Sequence, residues 1–343
     1  MMQEWLSLLE SPNLRWVLLG SMFLGIASGV IGSFVLLRKE SLVGEAMSHA
    51  ALPGVCLGFL AAGRELPALM IGAAVFGFIS LWGIRIIHRN TKLKQDTAIG
   101  LILSVFFGLG IVLLTMITNS SAGNKSGLDS YIFGQAASMV QFDVWMMSGI
   151  AMLVTAAALL FFKEWKLVIF DPLFAGGLGW KTKTLNSILS FSIVLIVTAG
   201  IQAVGIILMS ALIITPAIAA RYWTDRLGIM VILSALIGAF SGLSGAALSA
   251  LDGGIPTGPV VVLTATAVFV FSFLFAPGRG KLAQITAYRR FRRRWKKQQA
   301  VQALDSVPDT TPSRYAAWQK TLGVENSEAR RLWNWLKKNR YLT

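Results

Sequence analysis

An all-α polytopic membrane protein is predicted by three properties of the 343-residue chain: hydrophobic residues make up 55% of it, charged residues only 14%, and mean hydropathy is +0.65. The charges are also segregated, leaving uncharged runs of roughly 20 residues, the length a helix needs to cross a hydrocarbon core. Eight or nine crossings follow, read at residues 16–37, 41–62, 67–84, 97–118, 144–162, 185–199, 204–220, 227–251 and 256–277.

The first run follows a start that does not resemble a secretory signal, because residues 1–13 carry Glu4 and Glu10 in place of basic residues and lead to no small-residue cleavage site. It is expected to act as its own insertion signal. The second run holds Glu45 and His49, which share a face on a helix because they are four residues apart. An ionised carboxylate well inside a bilayer costs about 2.5–3.5 kcal/mol on insertion scales, so it is expected to face a pathway or a partner and not lipid. Small residues recur at helix-packing spacing in Gly25 and Gly29, Gly54 and Gly58, and Gly238 and Gly242, where a missing side chain lets backbones approach within the bundle. Residues 119–129, rich in Ser, Asn and Gly, read as a loop. Between 185 and 220 the sequence is apolar almost throughout, so two short crossings or one long kinked one both fit.

Beyond Pro277 the composition changes, which divides the chain into a transmembrane domain over residues 1–280 and a basic extension over 281–343. Residues 289–297 interleave Arg289, Arg290, Arg292, Arg293, Arg294, Lys296 and Lys297 with Phe291 and Trp295 just after Tyr288, a pattern suited to anionic membrane lipid. A polar linker with Pro308 and Pro312 follows. Residues 315–341 read as two short helices joined near Gly323. Their sequence is similar to a helix-turn-helix with its second helix over 328–338, where Arg330, Arg331, Lys337 and Lys338 could meet phosphates. A membrane-surface or subunit-docking appendage is the stronger reading, and nucleic acid the weaker.

Net charge is +15 and the sequence pI about 10.3. The excess lies at Arg38 and Lys39, at Arg85, Arg89, Lys92 and Lys94, at Lys163, Lys166, Lys181 and Lys183, at Arg221 and Arg226, and in the tail, whereas the alternate connections are nearly neutral. The positive-inside rule therefore places the basic loops and the C-terminus in the cytoplasm, and nine crossings would put the N-terminus outside. The single cysteine, Cys56, excludes an intrachain disulfide and Cys-rich metal or redox motifs, and reads as a small core residue.

An enzyme has little to work with. One of the two histidines, His88, sits among Arg85 and Arg89 in a basic loop, and the Gly280-Lys281 pair has Phe275 where a phosphate-binding loop needs its first glycine. Glu45 and His49 instead offer one oxygen and one nitrogen donor, a set suited to Zn²⁺, Mn²⁺ or Fe²⁺ and poorly matched to Cu⁺ or an organic solute. A structural role, with Glu45 hydrogen-bonded to His49 or a serine, is the alternative. If the pair handles an ion, Met47 and Ser48 are candidates to line its path. An ion-coupled secondary carrier would carry more intramembrane carboxylates for coupling than this chain shows, and a membrane-tethered regulator would rest on the tail alone.

The segment Gly44-Glu-Ala-Met-Ser-His-Ala-Ala-Leu-Pro-Gly54 resembles the Gly-Asp-Ala-x-Ser-His-Ala-x-Leu-Pro-Gly signature of the permease subunits of manganese, zinc and iron ABC importers. Further matches follow in order: Gln95-Asp-Thr-Ala-Ile-Gly100, Leu128-Asp-Ser-Tyr-Ile-Phe-Gly134, Phe170-Asp-Pro-Leu-Phe-Ala175 with Gly177-Leu-Gly179, Gly205-Ile-Ile-Leu-Met-Ser-Ala-Leu-Ile-Ile-Thr-Pro-Ala217 and Pro256-Thr-Gly-Pro259. The resemblance covers residues 15–278. It implies the ABC importer permease fold in a bacterial plasma membrane and a homodimer or a heterodimer with a sister permease. It also implies separate ATPase subunits and an extracytoplasmic metal-binding protein. The metal (Mn, Zn or Fe) is then cargo, with no permanently bound cofactor. Glu45 stands where the family more often has Asp, which leaves the metal preference open, and the tail exceeds the usual family end. On this reading residues 221–228, a basic break after Pro216, are expected to form the short cytoplasmic helix that transmits ATPase movement, through Arg221, Asp225 and Arg226. A permease for an iron chelate or corrinoid is the nearest alternative, and would need a wider cavity without paired ligands.

Overall fold

The computed structural model describes residues 12–63, 65–119, 134, 141–251, 255–307 and 314–338. Among the described residues every regular element is helical. In chain order they are α1 (Pro12–Leu37), α2 (Ser41–Ala62), α3 (Leu66–Asn90), α4 (Gln95–Asn119), α5 (Gln141–Leu160), α6 (Phe162–Phe170), α7 (Pro172–Gly177), α8 (Thr182–Val204), α9 (Ile206–Trp223), α10 (Leu227–Leu251), α11 (Thr257–Phe275), α12 (Lys281–Asp305), α13 (Arg314–Leu322) and α14 (Asn326–Lys338). Among them, 8 are long and apolar enough to cross a membrane, and α9 contributes a shorter apolar helix, Leu208–Trp223.

The ambiguity over residues 185–220 resolves as two helices. Gly205 stands between α8 and α9 at φ 94 and ψ 160, a conformation open to glycine alone. The side chain of Met209 lies against Gly200, which a continuous helix would hold too far away, so the chain folds back on itself. Gly134 seats against this turn at φ 75, where an added Cβ would fall 2.3 Å from the carbonyl carbon of Val204.

Two antiparallel seams knit the bundle. Along α1 and α10, Ser21 faces Gly242, Gly25 faces Gly238 and Gly29 faces Ser234, and a Cβ added to Gly25 would sit 2.1 Å from the Gly238 carbonyl oxygen. The Ser234 hydroxyl donates to the Gly29 carbonyl at 2.7 Å, so the seam is bonded as well as packed. Along α2 and α3, Gly54 meets Gly72 with the same closeness, 2.1 Å. The small-residue pairs read from the sequence thus pack inside the chain, with dispersion gained where backbones touch. Helix α11 joins through the Thr264 hydroxyl, which donates to the Ser241 carbonyl at 3.0 Å, and through Phe269 and Phe273 beside Tyr222 of α9.

These contacts sort the helix ends. At one end Trp165 of α6 is buried, donates to the Leu185 carbonyl at 3.2 Å and meets Phe34 edge-on at 5.2 Å. Arg85 donates to Ser190, Gln95 to Glu40, and the close of α9 packs beside Leu36 and Leu37. This end holds Arg38, Arg85, Lys163, Lys166, Lys181 and Arg221. At the other end Trp16 of α1 meets Trp145 of α5 at 5.9 Å, and Gln202 of α8 donates to Asp143 at 3.0 Å. Among the described residues the first end is basic and the second is not.

The chain divides into two compact units, Met1–Phe273 and Leu274–Thr343. In the second, α12, α13 and α14 enclose a core of Ala300, Leu304, Trp318, Ala329, Leu332 and Leu336. Trp318 donates to the Ala300 carbonyl at 2.8 Å, Lys296 pairs with Glu328, and the Lys297 ammonium lies 4.5 Å from the Trp335 ring centre. Gly323, at φ 64, makes the turn between α13 and α14.

Candidate functional site: a two-ligand edge on α2

Helix α2 begins after a tight reversal in which Lys39 takes φ 58 and Arg38 bonds Glu40 at 2.9 Å. Gln95 of α4 also donates to Glu40, at 3.4 Å, tying the start of α2 to that of α4. Glu45 and His49 lie about 6 Å and 12 Å along the axis from Ser41 at 1.5 Å per residue. Both side chains are half-buried in the single chain, on the edge of α2 beside α4.

His49 meets Phe107 of α4 edge-on, with ring centres 4.9 Å apart and planes at 79°. That contact fixes the imidazole plane. Its Nδ1 is buried and has no hydrogen-bond partner, an arrangement that costs about 1–3 kcal/mol unless something else satisfies the nitrogen. Pro53 lies inside the helix four residues on, so the His49 carbonyl receives no ladder N–H from that position. One turn of α2 therefore presents a carboxylate, an unsatisfied imidazole nitrogen and a carbonyl released from the helix ladder.

The other two path candidates lie elsewhere. Met47 is 1% exposed and sits in the core half a turn round from the Glu45 edge, while Ser48 is buried with its hydroxyl donating to the Gly44 carbonyl at 2.9 Å. Spacing alone does not reveal which side of a helix meets the core. Cys56 is buried, as its composition suggested, with its thiol 3.8 Å from the Gly110 carbonyl. Among the described residues no group of three or more His, Cys, Asp or Glu gathers where it could hold a metal. Two donors from one chain suit an ion in passage, because a resident structural ion usually takes a full set of protein ligands.

The segment over residues 221–228 differs from its expectation. Arg221 lies in the last turn of α9, which ends at Trp223, and Leu227 opens α10, so no separate helix forms there, and Pro216 is buried within α9. Arg221 pairs with Asp225 at 3.3 Å, and Arg226 is exposed with its backbone N–H donating to Thr224. The apolar Ala219, Ala220, Tyr222 and Trp223 carry the helix through the basic residues, leaving a short connection.

The short helices at the basic end are instead α6 and α7. Asp171 caps α7 by accepting the Phe174 N–H at 2.9 Å, Pro172 occupies its first turn, and Gly179 at φ 82 ends the segment. Ala175 is buried, yet Leu173 is 88% exposed, and Phe170, Phe174, Leu178 and Trp180 are also exposed. The Asp-Pro pair ahead of apolar residues, within a basic connection, was the available signal. Asp143 was missed too: a carboxylate 9% exposed at the start of α5, held by Gln202.

Comparison with known proteins places this architecture. Residues 10–276 match the ABC 3 transport family. The chain is 50% identical over 301 residues to the manganese transport system membrane protein MntC of Bacillus subtilis, covering 88% of this chain and 69% of that one. It is 41% identical over 290 residues to the zinc transport system membrane protein TroC of Treponema pallidum, covering 84% and 97%. Among solved structures, PsaBC from Streptococcus pneumoniae in complex with Fab superposes with a TM-score of 0.73 at 32% identity, over 81% of this chain and 98% of that one. An inward-facing putative metal-chelate type ABC transporter shares the fold, with a TM-score of 0.60 at 16% identity over 75% of this chain and 84% of that one. The chain therefore belongs to the ABC 3 transport family, as a membrane permease subunit of a metal ABC importer whose ATP hydrolysis is performed by a separate subunit.

Proposed function

We propose that this permease carries a divalent transition metal, Mn²⁺ first, from an extracytoplasmic binding protein to the cytoplasm, with Glu45 and His49 contacting the ion as it passes. The observation that carries the reading is the half-buried edge on α2, where the orphaned Nδ1 of His49 shares a face with a carboxylate. Oxygen and imidazole donors without thiolate suit Mn²⁺ and Zn²⁺, and the Bacillus and Treponema relatives are named for manganese and zinc. Exposure of this edge in the single chain leaves room for a second permease, homo- or heterodimeric, to face it and complete the coordination shell. Iron remains within the same donor chemistry, whereas a bulky chelate would need a cavity that the packed surroundings of His49 do not supply.

The basic end faces the cytoplasm on the positive-inside rule. The exposed apolar residues of α7 provide the docking surface for the ATPase, and Arg221, Asp225 and Arg226 add polar groups at the same end of the bundle. The test is transport by the reconstituted importer with its ATPase: ATP-dependent ⁵⁴Mn²⁺ uptake that Zn²⁺ competes with is expected. ATPase-independent uptake would overturn the reading.

A further inference from the structure

Helix α12 is exposed on every side over most of its first half, from Lys281 to Trp295. A helix of this kind needs a reason not to be disordered, and its side chains are not evenly distributed. Tyr288, Phe291 and Trp295 fall at i, i+3 and i+7 and form one stripe; they are 63%, 64% and 52% exposed. The rings of Phe291 and Trp295 stack at 6.3 Å with 20° between their planes. Arg292 and Arg294 flank the stripe, and Arg289, Arg290 and Arg293 continue round the helix. At 3.6 residues per turn Leu304 lies half a turn round from Trp295. The face that carries the small helical core, with Ala300 and Leu304 buried in it, therefore points away from the aromatic stripe.

Chain length limits where this helix can be. Five residues, 276–280, join α11 to α12, and such a link reaches about 20 Å at full extension. The last crossing therefore delivers Lys281 close to a bilayer surface. We propose that the first half of α12 lies along the surface of the membrane the permease crosses, with Tyr288, Phe291 and Trp295 seated at the boundary between headgroups and acyl chains and the flanking arginines on anionic lipid phosphates. An in-plane helix carries this pattern of aromatic anchors and long cationic side chains that reach outward. Duplex nucleic acid would satisfy the arginines but leave the aromatic stripe in water. The α13–α14 module is then held on the aqueous side, with its core facing away from lipid.

The test uses the full-length permease with Cys56 replaced by Ala and one probe cysteine, Gln299→Cys beside the stripe or Asn334→Cys on the exposed face of α14. Each is labelled with an environment-sensitive fluorophore in nanodiscs of phosphatidylcholine with or without phosphatidylglycerol. Doxyl-labelled lipid is expected to quench the probe at 299 severalfold more in anionic than in neutral nanodiscs. The difference should shrink in 1 M salt, where the Debye length is about 3 Å. The probe at 334 should stay unquenched, and combined Tyr288→Ser, Phe291→Ser and Trp295→Ser should remove quenching at 299. Absence of quenching at 299, equal quenching in both lipids, or displacement of the probe from lipid by added duplex DNA would each overturn the proposal.

Discussion

Glu45 and His49 were legible as a pair because hydropathy isolates them: two polar side chains at helical spacing inside an otherwise apolar run. What spacing could not supply was the surroundings. The edge-on Phe107, the orphaned Nδ1 and the inward turn of Met47 and Ser48 all depend on where α4 lies. If the pair contacts the ion, Glu45→Gln and His49→Ala should each lower metal uptake by about a hundredfold, the upper end of what loss of a ligand's supporting partner already costs. The assembled importer should persist. Glu45→Asp should keep transport and change the ratio of Mn²⁺ to Zn²⁺ uptake. Measuring ⁵⁴Mn²⁺ and ⁶⁵Zn²⁺ uptake beside the amount of purified complex decides it, since wild-type rates in both the Glu45→Gln and the His49→Ala variants would make the pair structural.

Among the elements, the long helices were readable from charge-free length, whereas over residues 185–220 two short crossings and one long kinked one both fitted the sequence. Residues 185–220 are apolar on both sides of Gly205, so the break depends on a positive φ and on Gly134 packing against it. The 221–228 segment does not form the separate short helix expected of it, because basic charge marks a connection and not its secondary structure, whereas the exposed apolar side chains of the short capped helix α7 are the reason it is proposed as the docking surface. Leu173→Asp with Phe174→Asp should release the ATPase in a pull-down and abolish uptake while leaving membrane insertion intact. Charge reversal at Arg221 and Arg226 should weaken coupling less, and a reversed order of effects would return the contact to the 221–228 segment. At the α1–α10 seam, Gly238→Leu should destabilise the bundle by about 1–3 kcal/mol or more, as overpacking does. A lowered thermal midpoint in detergent would report it.

For the molecule as a whole, the asymmetry of charge was visible in sequence, and the helix contacts gather the basic connections of the bundle at one end. Single-cysteine labelling in a Cys56→Ala background should find positions 92, 181 and 226 shielded from an impermeant reagent in intact cells, and position 124 open to it. Labelling of 226 but not 124 would invert the topology. Residue 124 lies outside the described residues, so this expectation comes from sequence alone. The separateness of the second unit also has an expected outcome: a chain ending at residue 286 should assemble and transport at near wild-type rate, measured as uptake per assembled complex.

The glycine seams have a mechanical consequence. Where α1 meets α10 and α2 meets α3, backbone lies directly on backbone, and no flexible side chain is available to absorb displacement. Each pair behaves as a stiff beam, strong in compression across the seam and unable to bend at its glycines without separating the two helices. If the permease alternates between outward and inward openings, the seams favour a change in the angle between these pairs over bending within them. Gly205 joins α8 to α9, outside both seams, and at φ 94 a side chain placed there would strain that turn and loosen the fold.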